Sequence, residues 1–145
     1  MEVLANILAA GILFIMLFFS ISIARNVHKG LDKENAGILL RILFPEYFFW
    51  GLILSLISGL LFLLEGNIFQ SIVMFIIASM AAFSRYHLVT KINKNRDLMI
   101  QGDLNAGKEF SSLHKTSVSI NIIQIILLLI TVSYTHLTLP TNREV

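Results

Sequence analysis

Four polar side chains recur in one stretch of the chain at spacings of three, four and three residues: His114, Ser117, Asn121 and Gln124. At 100° per residue they fall within an arc of about 80° on one helix face. Asn and Gln in an apolar helix need hydrogen-bond partners, because lipid offers none. This polar stripe predicts either hydrogen bonds that fix the packing between helices or a polar cavity that opens past His114.

Three histidines form a second group that could do chemistry, namely His28, His87 and His114. Imidazole binds haem iron and divalent metals, and the loop pattern described below places all three near one membrane face. None has short ligand spacing to another. We therefore expect no cofactor, with haem or a divalent metal as the alternative.

Other signatures of catalysis are missing from the sequence. The chain has no cysteine, which excludes disulfides, thiolate metal sites and cysteine nucleophiles. It has no phosphate-binding loop, dinucleotide fingerprint, zinc-protease helix or nucleophile elbow. The middle of each apolar block lacks Lys, Arg, Asp, Glu and His, the usual mark of a proton relay. The sequence therefore favours a non-enzymatic protein without excluding an enzyme.

The composition indicates the elements that must position these side chains. Of 145 residues, 56% are hydrophobic and 14% charged, and the mean hydropathy is +0.79. A soluble domain is about a quarter charged. The apolar residues occur in blocks near the roughly 20 residues that cross a bilayer. The chain is therefore predicted to be an all-α membrane protein, and its net charge of +2 gives no indication of a nucleic-acid partner.

Four apolar blocks predict a four-helix transmembrane bundle in one domain, residues 1–131, with spans at 3–24, 47–64, 68–84 and 118–131. We interpret the first block as a retained helix rather than a cleaved signal. Only Glu65-Gly66-Asn67 separates the second and third blocks, so these two helices must form a tight antiparallel hairpin. The fourth block is too short to cross comfortably, which predicts a truncated last helix.

The polar loops have local structure of their own. Asp32 is a predicted N-cap of a short helix at residues 33–44 that lies along the membrane surface and ends at Pro45. Tyr47 and Trp50 then fit the aromatic belt of that membrane face. The second loop, residues 85–117, is expected to break at Gly102 and Gly107 and to resume as helix near Lys108.

Small residues in the two central spans predict a packing seam, since they let helices approach closely. The second span contributes Gly51, Ser55, Ser58 and Gly59, and the third contributes Ser71, Ala78, Ser79 and Ala82. We expect this seam, like Pro45, to be structural rather than part of a substrate path.

The basic residues predict how the bundle sits in the membrane. Of the 11 Lys and Arg residues, all except Arg143 fall in the two polar loops. The positive-inside rule therefore places both loops in the cytoplasm and the N-terminus outside. We expect a multi-pass protein of the cell membrane, the bacterial inner membrane, whose partners are the lipid bilayer and, at the basic loops, anionic lipid headgroups. Association with further copies of the chain stays open.

Short motifs occur along the whole apolar part of the chain: Gly11, Phe14, Asn35-Ala36-Gly37, Arg41, Phe44-Pro45, Tyr47-Phe48, Ile92-Asn93, Arg96-Asp97, Phe110, Leu113-His114, Ser117 and Asn121. In these motifs the chain resembles, over about residues 3–131, a bacterial membrane family of unknown function related to eukaryotic transmembrane protein two hundred and five. The resemblance implies a four-helix membrane domain but no activity, substrate or cofactor. It also implies a set of candidate residues: Arg41, Pro45, Arg96, Asp97, His114, Ser117 and Asn121.

The last residues of the chain do not resemble the membrane family. Residues 132–141 resemble one translated frame of the transposase adapter used to build sequencing libraries. We therefore expect residues 132–145 to be a non-native tail, in which His136, Pro140 and Arg143 carry no functional weight. The alternative is a genuine polar C-terminus.

Taken together, these patterns favour an integral membrane protein that binds or moves a small molecule or ion through a cytoplasm-facing polar site. The same residues also fit a purely structural or assembly role, without any ligand. The competing class is a haem- or metal-linked membrane protein, for redox chemistry or metal handling, that uses its interfacial histidines.

Overall fold

The computed structural model describes the backbone of residues 1–138 and the side chains of residues 1–134. Within this range the chain forms four long helices and no strand: α1 (Glu2–Gly30), α2 (Lys33–Leu64), α3 (Ile68–Ile100) and α4 (Leu104–Thr138). All four are long and apolar enough to cross a membrane. This confirms the prediction of an all-helical chain with four helices of that kind. The predicted non-native tail lies outside the described residues from position 139 onward.

Short connections join the helices. Asp32 starts α2 as predicted, because its carboxylate accepts hydrogen bonds from the backbone N–H groups of Glu34 and Asn35 at 3.0 and 2.9 Å. Two further turns contain a glycine with positive φ, Gly66 at 76° and Gly102 at 97°. Glycine adopts this conformation at no steric cost, so α2 and α3 can reverse direction within three residues.

The predicted surface helix at residues 33–44 was wrong in its end point. The chain continues as helix through Pro45, so α2 is one element from Lys33 to Leu64. Proline removes one backbone hydrogen bond from a helix interior, but membrane helices tolerate it where a neighbouring helix satisfies the freed groups. The acceptor freed by Pro45 is the carbonyl oxygen of Arg41, four residues earlier. Arg85 of α3 donates to the carbonyl oxygen of Pro45 itself and so ties this part of α2 to the next helix.

The predicted break at Gly107 was also wrong. Helix α4 begins at Leu104, and Asp103 caps it by accepting from the N–H groups of Asn105 and Ala106 at 2.8 and 3.1 Å. Gly107 lies inside the first turns of α4 beside Met99 of α3, and a Cβ at that position would make an ordinary contact with Met99 Cγ at 3.4 Å. The short apolar block at 118–131 is the middle of a longer helix.

Two of the helices contain a π turn near their polar ends. The turns are Phe19–Ile23 in α1 and Ser84–Leu88 in α3. A π turn closes its hydrogen bonds over five residues rather than four, and such turns are frequent at functional sites. Both helices continue beyond the turn, α1 to Gly30 and α3 to Ile100.

The helices alternate in direction around a narrow core. At one end of the bundle the N-terminal amino group lies 3.4 Å from the Glu65 carboxylate. The core combines small and large apolar side chains: Ala5, Ala9, Ile12, Met16, Phe19, Phe62, Met74, Ile77 and Leu128. Large apolar side chains such as Phe14, Ile72 and Ile126 point outward and are exposed. An outer surface of this kind suits hydrocarbon rather than water.

Candidate functional site

Asn121 of α4 lies at the centre of a chain of hydrogen bonds that joins three helices. The hydroxyl of Tyr47 in α2 donates to Asn121 Oδ1. Asn121 Nδ2 in turn donates to the hydroxyl oxygen of Ser20, in the π turn of α1, at 2.9 Å. We call this the Ser20–Asn121–Tyr47 chain. It gives the carboxamide the partners that lipid could not supply.

The phenol ring of Tyr47 is held by other aromatic rings. The Phe19 ring stacks on it with 4.4 Å between centroids, and the Phe48 ring meets it edge to face at 5.0 Å. Tyr47 is 8% exposed, whereas Trp50 is 52% exposed. Tyr47 was therefore wrongly predicted for the aromatic belt: its side chain faces the interior of the bundle.

Gln124 lies one helical turn beyond Asn121 and is 1% exposed. Its Nε2 donates to the backbone carbonyl oxygen of Ile77 in α3 at 3.1 Å. Its Oε1 has no hydrogen-bond partner among the described residues. A buried acceptor without a donor costs about 1–3 kcal/mol, and three further buried oxygens share this state among the described residues: Asn6 Oδ1, Ser55 Oγ and Ser84 Oγ.

A small crevice lies beside Gln124, where the four helices meet. Its volume for the centre of a water molecule is about 10 Å³, which is room for about one water. Apart from Tyr47 and Gln124, its walls are apolar: Ile12, Ile15, Met16, Phe48, Gly51, Leu54, Ile77 and Ala81.

The polar stripe runs from the surface into this interior. His114 is exposed and stacks on Phe110 with 6.2 Å between ring centroids, and Ser117 is partly buried. Asn121 is partly buried and Gln124 is fully buried. The four side chains therefore follow one helix face from the exposed polar end to the crevice.

Three arginines join α2 and α3 at the polar end of the bundle. Arg41 Nη2 pairs with Asp97 Oδ1 at 2.5 Å, with the two side chains 40% and 50% exposed. Arg96 donates to the carbonyl oxygen of Lys33 at 3.0 Å. Its guanidinium fills the space above Gly37, where a Cβ would lie 1.4 Å from Nη2. Arg41, Arg96 and Asp97 are three of the candidate residues that the resemblance implied, and Arg41 and Asp97 are in direct contact.

Arg85 is the third of these arginines, and it was not among the predicted site residues. It donates to the Pro45 carbonyl oxygen, and its guanidinium carbon lies 4.8 Å from the centre of the Phe49 ring. This geometry is a cation–π contact.

The predicted seam of small residues lies between α2 and its neighbours. A Cβ on Gly59 would lie 3.3 Å from Met74 Cβ, and the Ser71 hydroxyl donates to the Gly59 carbonyl oxygen at 2.9 Å. A Cβ on Gly51 would lie 4.0 Å from Ala81 Cβ. Ser58 donates to the Ala5 carbonyl oxygen of α1 at 2.9 Å.

Two seam serines differ from this pattern. Ser55 is buried, and its hydroxyl has no partner among the described residues. Ser79 was wrongly assigned to the seam, since it is exposed and bonds back to the Phe75 carbonyl oxygen of its own helix.

The three histidines are exposed in the structure. His87 stacks on Phe83 of its own helix at 5.5 Å, as His114 does on Phe110. Within residues 1–134, no group of three His, Asp or Glu side chains is placed to hold one metal ion. A metal ion held by three such side chains therefore has no preformed site within these residues, and haem binding stays a prediction.

The sequence analysis did not identify Ser20 or Arg85 as site residues, and it did not place the Tyr47 side chain in the interior of the bundle. Ser20 is one of three polar residues in the first apolar block, with Asn6 and Ser22, and that was the only available signal for Ser20. Arg85 stands at the end of the third block, where a basic residue is explained equally well by the positive-inside pattern.

One comparison with known proteins gives a match. The family model described as Domain of unknown function (DUF4149) matches residues 4–101, a region that holds α1, α2 and α3. The arginine contacts, Tyr47 and Ser20 lie within the match, whereas Asn121 and Gln124 lie beyond it. No curated protein and no solved structure matches the chain.

Proposed function

Since the chain belongs to the DUF4149 family, whose model covers about two thirds of its length, we propose that it is a non-enzymatic multi-pass protein of the cell membrane. Its proposed role is to bind or move a small molecule or ion at the polar site formed by the Ser20–Asn121–Tyr47 chain and Gln124. Four helices of spanning length and an apolar outer surface support the membrane location. The bacterial inner membrane is part of this proposal.

The unpaired Oε1 of Gln124 is the observation that favours binding over a purely structural role. Most buried amides have both their N–H₂ and their oxygen bonded to protein or to ordered water, and the Asn6 amide of α1 is bonded through its nitrogen alone as well. Gln124 bonds through Nε2 alone. The polar stripe runs along one face of α4 from Gln124 to the exposed His114, and in this proposal it is the path by which a solute approaches.

Binding at this site is tested with the purified protein in detergent. We expect at least one of sodium, potassium, ammonium, chloride, urea or glycerol to raise the midpoint of thermal unfolding. The rise should disappear in Asn121→Leu, which removes the centre of the hydrogen-bonded chain. Ser119→Leu is the matched control, because Ser119 is exposed on the same helix. If no solute raises the midpoint in a manner that depends on Asn121, the binding role is wrong.

We also propose that both polar connections face the cytoplasm and that the N-terminus lies outside. The arrangement of the basic residues supports this. The chain has no cysteine, so single cysteines report topology without a background. Asn67→Cys in the hairpin turn should react with a membrane-impermeant maleimide in intact cells, and Gln101→Cys at the polar end only after permeabilisation. The opposite labelling pattern would reverse the proposed orientation.

The haem- or metal-linked interpretation remains the second candidate function. It requires a visible absorption band or stoichiometric metal in the protein purified from its membrane, lost on His→Ala substitution at His28, His87 or His114. A colourless, metal-free protein leaves the first proposal in place.

The finer family relation is likewise a proposal. We infer a relation to eukaryotic transmembrane protein two hundred and five from the short motifs, which include Asn35-Ala36-Gly37 and Arg96-Asp97. The contact of Arg96 with Gly37 gives those two motifs a common physical reason. A structure of the eukaryotic protein with no such contact would argue against the relation.

A further inference from the structure

We propose that Arg85 of α3, with the aromatic side chains around it, binds the phosphodiester headgroup of one membrane phospholipid. The inference goes beyond the proposed function, since it uses the membrane location but not the polar site around Asn121. It also differs from a general attraction between basic loops and anionic lipid, because it assigns one lipid to one side chain.

The Arg85 guanidinium is held in a fixed place at the α2–α3 hairpin. Its Nη1 donates to the Pro45 carbonyl oxygen of α2, and its central carbon lies 4.8 Å from the centre of the Phe49 ring. The ring of Tyr86, on the same π turn as Arg85, has its centre 5.6 Å from the same carbon. A guanidinium that is already positioned in this way loses little conformational freedom when it binds a ligand.

Most of the hydrogen-bonding capacity of Arg85 is left over for such a ligand. A guanidinium has five N–H donors and no acceptor, and Pro45 takes a bond from Nη1 alone. The two ion pairs among the described residues join the N-terminal amino group to Glu65 and Arg41 to Asp97. Arg85 is partly buried and therefore has no carboxylate partner within residues 1–134. A cation beside hydrocarbon without a counter-charge is costly, so this position favours an anion from outside.

The depth of Arg85 along α3 indicates which anion it meets. Helix α3 begins at Ile68 after the hairpin turn, and Arg85 lies in its π turn. At a rise of about 1.5 Å per residue the two positions are roughly 25 Å apart along the helix. This is close to the thickness of the hydrocarbon core, about 30 Å. The guanidinium of a helix that crosses the membrane there lies next to the phosphodiester groups of the lipids.

The surroundings of Arg85 fit a lipid better than a soluble anion. Trp50 meets the Phe49 ring edge to face at 5.8 Å and is 52% exposed, and Tyr86 is 66% exposed. Exposed Trp and Tyr are typical of the headgroup level of a membrane. The apolar side chain of Phe83 is also exposed, which suits contact with acyl chains. A phosphate on the fork of Arg85 forms a strong, charge-assisted pair.

Fluorescence of Trp50 tests the site in the unmodified protein, because Trp50 is the only tryptophan in the sequence. The probe is a phosphatidylcholine with bromine, which quenches tryptophan on contact, near the carboxyl end of one acyl chain. It is added to the protein in an uncharged detergent without phosphate. The reference is the diacylglycerol with the same brominated chains but no phosphate. We expect half-quenching at an about tenfold lower mole fraction of the phospholipid, the factor for one charged hydrogen-bonded pair. Equal quenching by the two probes overturns the proposal.

Substitution of Arg85 tests which group binds the phosphate. Arg85→Gln should remove the preference for the phospholipid, whereas Arg85→Lys keeps the charge without the fork and should retain part of it. Lys91→Gln is the matched control, because it removes the same charge from an exposed position on α3. A preference that survives in Arg85→Gln, or that Lys91→Gln reduces equally, overturns the proposal.

Inorganic phosphate distinguishes a lipid headgroup from a free anion. At a concentration equal to that of the brominated phospholipid, it should leave the quenching unchanged. Recovery of Trp50 fluorescence would assign the site to free phosphate and overturn the lipid proposal. Each of these failures leaves the cysteine labelling and the Asn121-dependent solute effects as they are, so the two proposals fail separately.

Discussion

At the scale of single residues, the hydroxyl of Tyr47 and the carboxamide of Asn121 depend on each other. Tyr47→Phe removes the donor to Asn121 Oδ1, and Asn121→Leu removes the acceptor. We expect each to lower the free energy of unfolding by about 0.6–1.7 kcal/mol, the range for such bonds between membrane helices. The double variant should cost clearly less than the sum. Reversible unfolding in mixed detergent measures the cycle, and strict additivity would show that the bond contributes nothing.

Gly37 and Arg96 are coupled in a different way, through space rather than through a bond. With Arg96 present, the Cβ of Gly37→Ala would lie 1.4 Å from Arg96 Nη2, so the guanidinium must move away. The same Nη2 donates to the Lys33 carbonyl oxygen, and this hydrogen bond is lost when the guanidinium moves. In an Arg96→Ala background the same change meets no guanidinium. There it should stabilise α2 by about 0.5–1 kcal/mol, the gain in helix propensity.

The sign of the Gly37→Ala effect is therefore expected to reverse between the two backgrounds. Thermal unfolding of the four proteins measures this. Equal effects in both would mean that Arg96 does not rest on Gly37 in solution.

The sequence was sufficient to predict which polar residues share a face of α4, but not which residues form hydrogen bonds with them. The positions of Asn121 and Gln124 on one helix face follow from the helical repeat. Their partners Ser20, Tyr47 and Ile77 lie 101, 74 and 47 residues away, and local periodicity contains no information about such pairs. The free Oε1 of Gln124 is a property of the packed bundle alone.

At the scale of the elements, the α2–α3 hairpin depends on Gly59. A Cβ added at Gly59 would lie 3.2 Å from the Phe75 ring and 3.3 Å from Met74 Cβ. The larger side chain of Gly59→Leu must therefore push the two helices apart. We expect a loss of about 1–3 kcal/mol or more, the cost of overpacking. Gly11→Leu is the matched control, because a Cβ at Gly11 has no described heavy atom within 4 Å. A similar loss in both variants would argue against close packing at Gly59.

The start of α2 should respond to acid. The hydrogen bond from the Asn35 backbone N–H, followed by that from the Asn35 side chain, lowers the pKa of Asp32 below its ordinary value of 3.8. The folded state therefore favours the ionised carboxylate. Its contribution to stability is fully present above the unfolded pKa and is lost as the pH falls through the lower folded pKa.

Amide hydrogen exchange in the first turn of α2, followed as the pH falls below 4, measures this loss. Asp32→Asn still caps the helix and should remove the pH dependence. If the two proteins give the same pH profile, the titrating group is not Asp32.

Element boundaries could be predicted only where a local signal outweighed packing. Asp32 and Gly102 were identified correctly, since a capping carboxylate and a positive-φ glycine act within a few residues. Pro45 and Gly107 are breakers by the same local rules, yet both lie inside helices. Side chains of α3 lie at both positions, Arg85 at Pro45 and Met99 at Gly107, and the sequence gives no sign of these contacts.

At the scale of the whole molecule, the charged side chains of residues 1–134 lie toward the ends of the bundle. The basic loops that were predicted to face the cytoplasm carry ten of the 11 Lys and Arg residues. Each basic residue near an anionic membrane surface adds about 1 kcal/mol of attraction, which salt screens. Nanodiscs with anionic lipid should therefore raise the unfolding temperature above that in neutral lipid, and the difference should shrink at high salt. A difference that is insensitive to salt would point to a cause other than the basic loops.

The number, length and apolar character of the four helices could be predicted because hydropathy is a sum over many residues. Errors at single positions such as Pro45 do not change such a sum. The polar site could not be predicted in this way, since it depends on how four helices are rotated against one another.

Each π turn holds one residue more than the α-helical turn that it replaces, and each residue of an α-helix advances the chain by about 100°. Beyond residue 23, the polar end of α1 is therefore turned by about 100° from the phase set by residues 2–18. A helical wheel drawn straight through α1 places Arg25 and His28 on the wrong side. Deletion of one residue within 19–23 would rotate that end and leave the apolar half in register. A change of length at the first turn therefore alters which polar groups the end of α1 presents, and it also moves Phe19 and Ser20, which pack on Tyr47 and bond to Asn121.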